Sequence, residues 1–440
     1  MTNTKKNAML IIVHQGFSFV EEIAVLLKEQ NITPCIISSC PQVNERSDIM
    51  AAVGNHLHIT DNSALKYEDV RSFADELLAD PELNLLASIA TYEGYRLFMA
   101  KTNERLGAVD SRAEAISSTL DKYQFRTKLF KAGLSQANSY LLNEETFAAC
   151  KQSEKKRFIK PRRGAASFSS FPLTEDITWA FIQEQVGQIK SDETFSSTFM
   201  DNFDFVAEDV ISGQEFSYEV VQLNGEVFIV AIHEKVGLES KAYSVLETAL
   251  LSPPIFNIDQ HWQRAKEYIS QALQFLNIDN GVFHIEARYN SKKDVLDFIE
   301  INPRMGGSLI NLSVEILTKR HSMLRLWVKL LSAVSEQKKN DLKEELLEIE
   351  SQSELSSISS YLQIYFADSG KKITGIHRKE CEIPPYKFCT HVTDGMITPD
   401  SNREIFAAEG IWSIPRVKNS TRLNEITAIC ETIFTLEYEK

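Results

Sequence analysis

The stretch Val282–Arg304 carries Glu286, Glu300, Asn302 and Arg304 among apolar neighbours. Alternate side chains of a strand share a face, so His284, Glu286 and Arg288 fall together on the run Val282–Tyr289. On Val295–Asn302 and just past it, Glu300, Asn302 and Arg304 do the same. The polar turn Asn290-Ser291-Lys292-Lys293 can join the two runs as a hairpin. Two carboxylates and an amide oxygen would then meet on one surface. Such hard oxygen donors suit Mg²⁺, which keeps several waters and bridges phosphates. Arg304 beside them can grip a phosphate or a carboxylate through two parallel hydrogen bonds. Plain ion pairs on a solvated sheet face are the ordinary alternative. The apolar Val282, Ile299 and Ile301, the sequence Asn302-Pro303-Arg304 and the bare backbone of Gly306-Gly307 weigh against it.

Three further segments are weaker alone. Lys160 ends a short apolar run and precedes Arg162-Arg163-Gly164-Ala165-Ala166-Ser167. A lysine before a loop of small residues can neutralise phosphates while backbone N–H groups approach closely, although no Gly-Lys-Ser/Thr ends this loop as in a Walker A motif. A surface turn is the simpler reading. Glu208–Glu215, around Ser212-Gly213, reads as an edge strand and tight turn, and Asp121-Lys122 as a helix start with an Asp N-cap. His233 and His284 sit between apolar strand neighbours, where histidines are mostly hydrogen-bonded structural residues; His284 has the better claim to support a site.

The elements that must position these residues follow from periodicity. Ala8–Val13, Val20–Leu27 and Thr33–Ser38 read as strand, helix and strand, with Leu85–Thr91 a further strand and Gly94–Leu106 helical, so residues 1–115 predict a doubly wound α/β domain. Asp121–Gly133 and Glu175–Ile189 read as helices, Arg157–Pro161 and Phe205–Val210 as strands, within a unit 116–205. In 206–330, Phe216–Leu223 and Val227–Ile232 flank the hairpin signal Asn224-Gly225. Trp262–Leu276 is helical, and Gly306-Gly307 opens a helix reaching Leu317. In 331–440, Glu336–Glu350 reads as a charged helix, Ser351–Ser360 as a linker or exposed loop, and the remainder as short strands closing on a helix, Arg422–Phe434.

The 440 residues imply two to four domains. A formal charge of −14 argues against nucleic-acid or anionic-membrane partners, which demand basic patches. The six cysteines include no Cys-x-x-Cys pair and read as reduced thiols, and no apolar run reaches membrane length, so a cytoplasmic location is expected.

Taken in this order, the segments resemble the ATP-grasp superfamily across roughly residues 85–320. Tyr92–Gly107 and Ile299–Gly307 look most similar to its carboxylate–amine ligase branch, which includes the L-amino acid ligases. That resemblance implies an ATP-grasp fold of mixed α/β (α+β) class: an N-terminal α/β domain, a mobile lid, a central antiparallel sheet for ATP and Mg²⁺ (or Mn²⁺), and a small C-terminal α+β part. It implies that Lys122 and Lys160 contact phosphates, with Gly164 to Ser167 lying over them. Glu208 and the backbone at Val210 would take the adenine edge, and Glu215 the ribose. Glu286, Glu300 and Asn302 would hold metal. Arg304 would steady the reacting oxygens, and Gly306, Gly307 and Glu247 would meet substrate. The implied reaction joins a small carboxylate to an amine, with a carboxylase or formate-activating enzyme and a non-catalytic ATP-binding module as alternatives. Residues 135–205 are expected to close on nucleotide, and a homodimer is expected by resemblance only. One departure is Phe168, where the family often has Gly; it would stiffen or plug the lid.

Overall fold

The computed structural model describes residues 5–16, 19–192, 194–241, 244–256 and 258–439. The chain opens with β1 (Lys6–Val13), α1 (Val20–Glu29), β2 (Thr33–Ser38), α2 (Asn44–Val53), β3 (His56–Ile59), α3 (Tyr67–Ala79) and β4 (Leu83–Ile89). The four strands form a parallel sheet in the order β3-β2-β1-β4. The continuous apolar run of β1 is buried on both faces, as a strand covered by helices on each side must be. The elements α2 and β3 carry too little periodicity to show in the sequence, whereas α3, which buries Val70, Phe73, Ala74 and Leu77 at helical spacing, was legible and passed over.

A short turn, Glu93–Tyr95, leads to α4 (Arg96–Leu106), α5 (Ala113–Leu120) and α6 (Lys122–Lys131). Asp121 caps α6 by accepting from the Gln124 N–H at 3.0 Å, as its residue type suggests. The lid comprises β5 (Ser139–Leu141), α7 (Glu144–Gln152), β6 (Arg157–Pro161), β7 (Phe171–Pro172), α8 (Trp179–Ser191) and β8 (Phe205–Asp209). Its strands pair as β5-β8-β6-β7 over a core of its own. Thr178 caps α8, so that helix begins at Trp179 rather than Glu175. Phe168 lies edge-on to Phe199, with ring centres 5.7 Å apart, inside the lid core.

The central elements are β9 (Gln214–Leu223), β10 (Glu226–Ser240), β11 (Val245–Ser252), α9 (Ile258–Phe275), β12 (Gly281–Asn290), β13 (Val295–Asn302), α10 (Ile310–Thr318) and α11 (Met323–Leu331). Then come α12 (Glu336–Glu354), β14 (Ile358–Phe366), β15 (Ile373–Arg378), β16 (Lys387–Thr390), β17 (Phe406–Pro415), α13 (Ser420–Glu431) and β18 (Phe434–Tyr438). One antiparallel sheet of eight strands runs β13-β12-β9-β10-β11-β14-β17-β16. Of the strands after residue 331, β14, β17 and β16 thus continue the same sheet, while β15 and β18 pair separately. On one face α9 buries Trp262, Ala265, Ile269 and Leu273, a helical stripe.

Three expectations are corrected here. Ser351–Ser360 is not a linker: α12 runs to Glu354, and β14 buries Ser359 and Ser360 between β11 and β17. Small hydroxyl side chains in an interior strand look like loop composition. The last helix ends at Glu431, and Phe434 begins β18, paired with β15. Gly306-Gly307 also precede the helix by a turn, since α10 starts at Ile310. The six cysteines are free, and among the described residues no helix is long and apolar enough to cross a membrane.

Two buried histidines away from the cavity described below make stability fall with acid. His261 bonds Tyr218 Oη at 2.9 Å and lies 4.4 Å from the Phe216 ring, and His14 stacks on Tyr92 at 4.2 Å. Burial pushes each down to about 4. The unfolded chain binds these protons first, so the stabilisation is full above about pH 6.5 and is lost as pH falls from there towards 4. Each histidine should remove about 1–2 kcal/mol between pH 7 and pH 5. Urea midpoints at the two pH values measure this, and His261→Phe should shrink the fall.

Candidate active site

Between the lid, the β12–β13 hairpin and the C-terminal strands lies a cavity of about 490 Å³. That size falls in the range of small-molecule sites. The hairpin places Glu286 directly opposite Glu300, and His284 opposite Asn302. The two carboxylates therefore share one face, as period two requires. Glu300 Oε2 lies 3.5 Å from Lys122 Nζ, and its Oε1 accepts from the Asn302 amide at 2.9 Å. Glu286 Oε1 lies 3.2 Å from His284 Nε2, and its Oε2 lies 3.3 Å from Lys235 Nζ. Burial alone would raise the Glu286 carboxyl, but Lys235 and His284 more than offset it and hold it low.

Lys122 also donates to the Gly164 carbonyl at 2.8 Å, tying the start of α6 to the small-residue loop. Arg162 reinforces that junction by bonding Asp121 at 2.8 Å. Lys160, on β6, pairs with Glu208 of β8 at 2.8 Å. Glu208 also lies 3.5 Å from the fully buried Arg126, which donates to the Ile299 carbonyl at 2.9 Å. Burial would raise Glu208, yet Lys160 and Arg126 hold it below the usual carboxylate range. Gly164 has φ +123°, and a Cβ there would sit 2.6 Å from the Phe199 ring, so only glycine fits.

Of the residues singled out in the sequence, Lys122, Lys160, Gly164, Ser167, Glu208, Val210, Glu215, Glu247, Glu286, Glu300, Arg304, Gly306 and Gly307 all line this cavity. Asn302 stands behind Glu300, 5% exposed, and orients it. His284 lines the cavity and supports Glu286 at 3.2 Å. It bonds Glu219 at 2.6 Å, and although burial opposes its charge, Glu219 and Glu286 push it up to about 10. His233 bonds Ser313 at 2.8 Å and is structural.

Three residues escaped the sequence reading. Lys235, on β10 with no exposed side-chain surface, pairs with Glu215 at 2.8 Å and also with Glu247. Lys235 follows the apolar run Val227–Ile232 in the polar triplet His233-Glu234-Lys235, which gave no distinct signal. Burial, together with the nearby Glu286 and Glu215, pushes Glu247 up to about 8 against the pull of Lys235. Glu93 receives Arg304 Nε at 2.9 Å and Nη2 at 2.7 Å, while Arg96 donates to the Pro303 carbonyl at 2.6 Å. The turn at 93–96 thus fixes the end of the hairpin. Glu404, from the loop before β17, had no local signal at all.

Glu93→Ala should leave Arg304 unaimed and lower catalytic efficiency by about 100-fold, the scale of a 1 Å misplacement. Steady-state kinetics check it; a loss below threefold would show that Glu93 does not aim Arg304.

Residues 155–312 match the ATP-grasp domain family, and the chain carries an ATP-grasp domain. The whole fold agrees. The L-amino acid ligase from Bacillus licheniformis superposes with a TM-score of 0.70 at 16% identity, over 99% of this chain and 100% of that one. Biotin carboxylase from Campylobacter jejuni gives 0.64 at 13%, over 99% and 92%. Carboxyaminoimidazole ribonucleotide synthase from Aspergillus clavatus, complexed with ATP, gives 0.62 at 14%, over 98% of each chain. No curated protein matches by sequence. ATP-grasp enzymes use ATP and Mg²⁺, and the donor set fits. Two opposed carboxylates supply hard oxygens, and Lys122 and Lys160, on separate elements, line the same cavity. A closer acidic group, Glu215, Glu247 and Glu286, already surrounds the Lys235 ammonium.

Proposed function

We propose that this protein is an ATP-dependent carboxylate–amine ligase that activates a small acid as an acyl phosphate and releases ADP and phosphate. One observation carries the reading: Lys122, Lys160, the Glu286/Glu300 pair and Arg304 all face one cavity that is also walled by substrate-sized apolar surface. In this reading Lys122 and Lys160 hold phosphate oxygens, Glu208 and the Val210 backbone hold the base, and Glu215 holds the ribose. Glu286 and Glu300 would hold Mg²⁺, which when bound offsets phosphate charge. Arg304, aimed by Glu93, steadies the acid's oxygens. A carboxylate lacks a leaving group, and phosphorylation supplies one. The amine then displaces phosphate.

Water must be kept out, because it would hydrolyse the activated acid. Residues 135–205 close over the site in this reading, so Mg-ATP should protect that segment from proteolysis. Equal cleavage with and without nucleotide would count against closure. The function itself is tested by incubating the protein with Mg-ATP and pairs of amino acids and small acids. Phosphate release that needs both partners, with a product lighter than their sum by one water, supports the ligase. Turnover only with bicarbonate or formate overturns it in favour of a carboxylase-type reaction.

A further inference from the structure

One end of the cavity is built by the C-terminal strands. Ile364 and Phe366 of β14, Phe406 at the start of β17 and Leu250 of β11 line it. The Phe366 and Phe406 rings lie 5.2 Å apart. Glu404 opens onto the same wall. Its carboxylate accepts from Ser167 Oγ of the lid at 3.0 Å, and among the described residues it has no ion-pair partner. The loop that carries it is strapped to the lid. Ser169 N–H donates to the Asn402 carbonyl at 2.8 Å, Asn402 donates to Gln185 at 2.8 Å, and Arg403 pairs with Asp192 at 2.7 Å.

The other cavity acids differ. Glu208 faces Lys160, Glu215 and Glu247 face Lys235, and Glu286 faces Lys235 and His284. A carboxylate with no cation of its own, beside an aromatic and aliphatic wall, is complementary to an ammonium that carries an apolar substituent. We propose that this wall is the amine subsite of the ligase. Glu404 holds the ammonium of the second substrate, and Phe366, Phe406 and Ile364 take its apolar side. The inference rests on the ligase reading and names its amine: a primary amine with an aliphatic or aromatic substituent.

The step balances. The ammonium gives one proton to the Glu404 carboxylate, and the freed nitrogen pair attacks the acyl carbon. A C–N bond forms, the C–O bond to phosphate breaks with its electron pair on that oxygen, and the second proton leaves with the phosphate. Burial, with Glu286 and Glu300 in view, pushes Glu404 up to about 7, against the Ser167 hydrogen bond and Lys235.

Two assays on the full chain test this. Positional isotope exchange in bridge-labelled ATP, with free amino acids as acids and no amine ester, reports activation alone. Amide formation with methyl esters of leucine, phenylalanine, serine and lysine reports the amine subsite, because an ester cannot itself be activated. Leucine and phenylalanine esters should be used at least tenfold more efficiently than serine and lysine esters. Glu404→Gln should raise the KM for the leucine ester at least tenfold while isotope exchange falls far less, which also certifies its fold. Phe406→Ala should erase the preference for the phenylalanine ester. An unchanged ester KM in Glu404→Gln, or equal use of all four esters, overturns the subsite and leaves the ligase standing. Absence of exchange with any acid overturns the ligase reading and the subsite with it.

Discussion

Glu300→Ala is expected to cut Mg-ATP-dependent phosphate release by about 100- to 1,000-fold, the usual cost of removing one electrostatic contact to developing charge. Glu300 faces Glu286 across the hairpin, lies 3.5 Å from Lys122 and accepts from Asn302. Its removal halves the carboxylate pair and leaves the Asn302 amide without that acceptor. Lys122 keeps the Gly164 carbonyl, so the lid junction survives. The side chain is 22% exposed, so the fold should tolerate the loss. A phosphate-release assay at saturating acid and amine measures the effect. Retention of more than a tenth of the activity would remove Glu300 from the proposed site.

Lys235→Met should be the most destabilising single change near the cavity. Three carboxylates, Glu215, Glu247 and Glu286, point oxygens at one fully buried ammonium. Removing one partner from a buried ionic group typically costs about 3–5 kcal/mol, because the remaining charges stay buried without compensation. The pH dependence has a definite sign. Without the lysine, the folded-state carboxyl groups rise above their unfolded values. The stability they permit is then full below about pH 4 and is lost as pH increases. The gap between wild type and Lys235→Met should therefore narrow on acidification. Urea unfolding at pH 8, 6.5 and 5 would show this. A constant gap would mean that the lysine acts through packing alone.

How legible all this was depended on how local each feature is. The hairpin around Glu286 and Glu300 could be read because period-two alternation and a polar turn are properties of adjacent residues. The cavity lysines Lys122 and Lys160 were visible because a helix start and a small-residue loop mark them. Glu404 meets Ser167 across 237 positions of chain, and Glu93 meets Arg304 across 211. No window of sequence contains both members of such a pair. Ser359 and Ser360 misled for the converse reason: their composition is that of a loop, but sheet neighbours from β11 and β17 bury them.

The lid joins the body through two segments, one between α6 and β5 and the other between β8 and β9. They run side by side: Asp209 N–H donates to the Asn138 carbonyl at 3.0 Å, and Asn138 N–H donates back to Asp209 at 3.2 Å. Segments clasped at their roots would confine the proposed closure to a swing about a single line. Val210, in the second root, also faces the cavity. If Val210 holds the nucleotide and the lid closes as proposed, nucleotide affinity and lid angle are two readings of one equilibrium. On that reading, a substitution that tilts the roots should shift the lid and nucleotide affinity together.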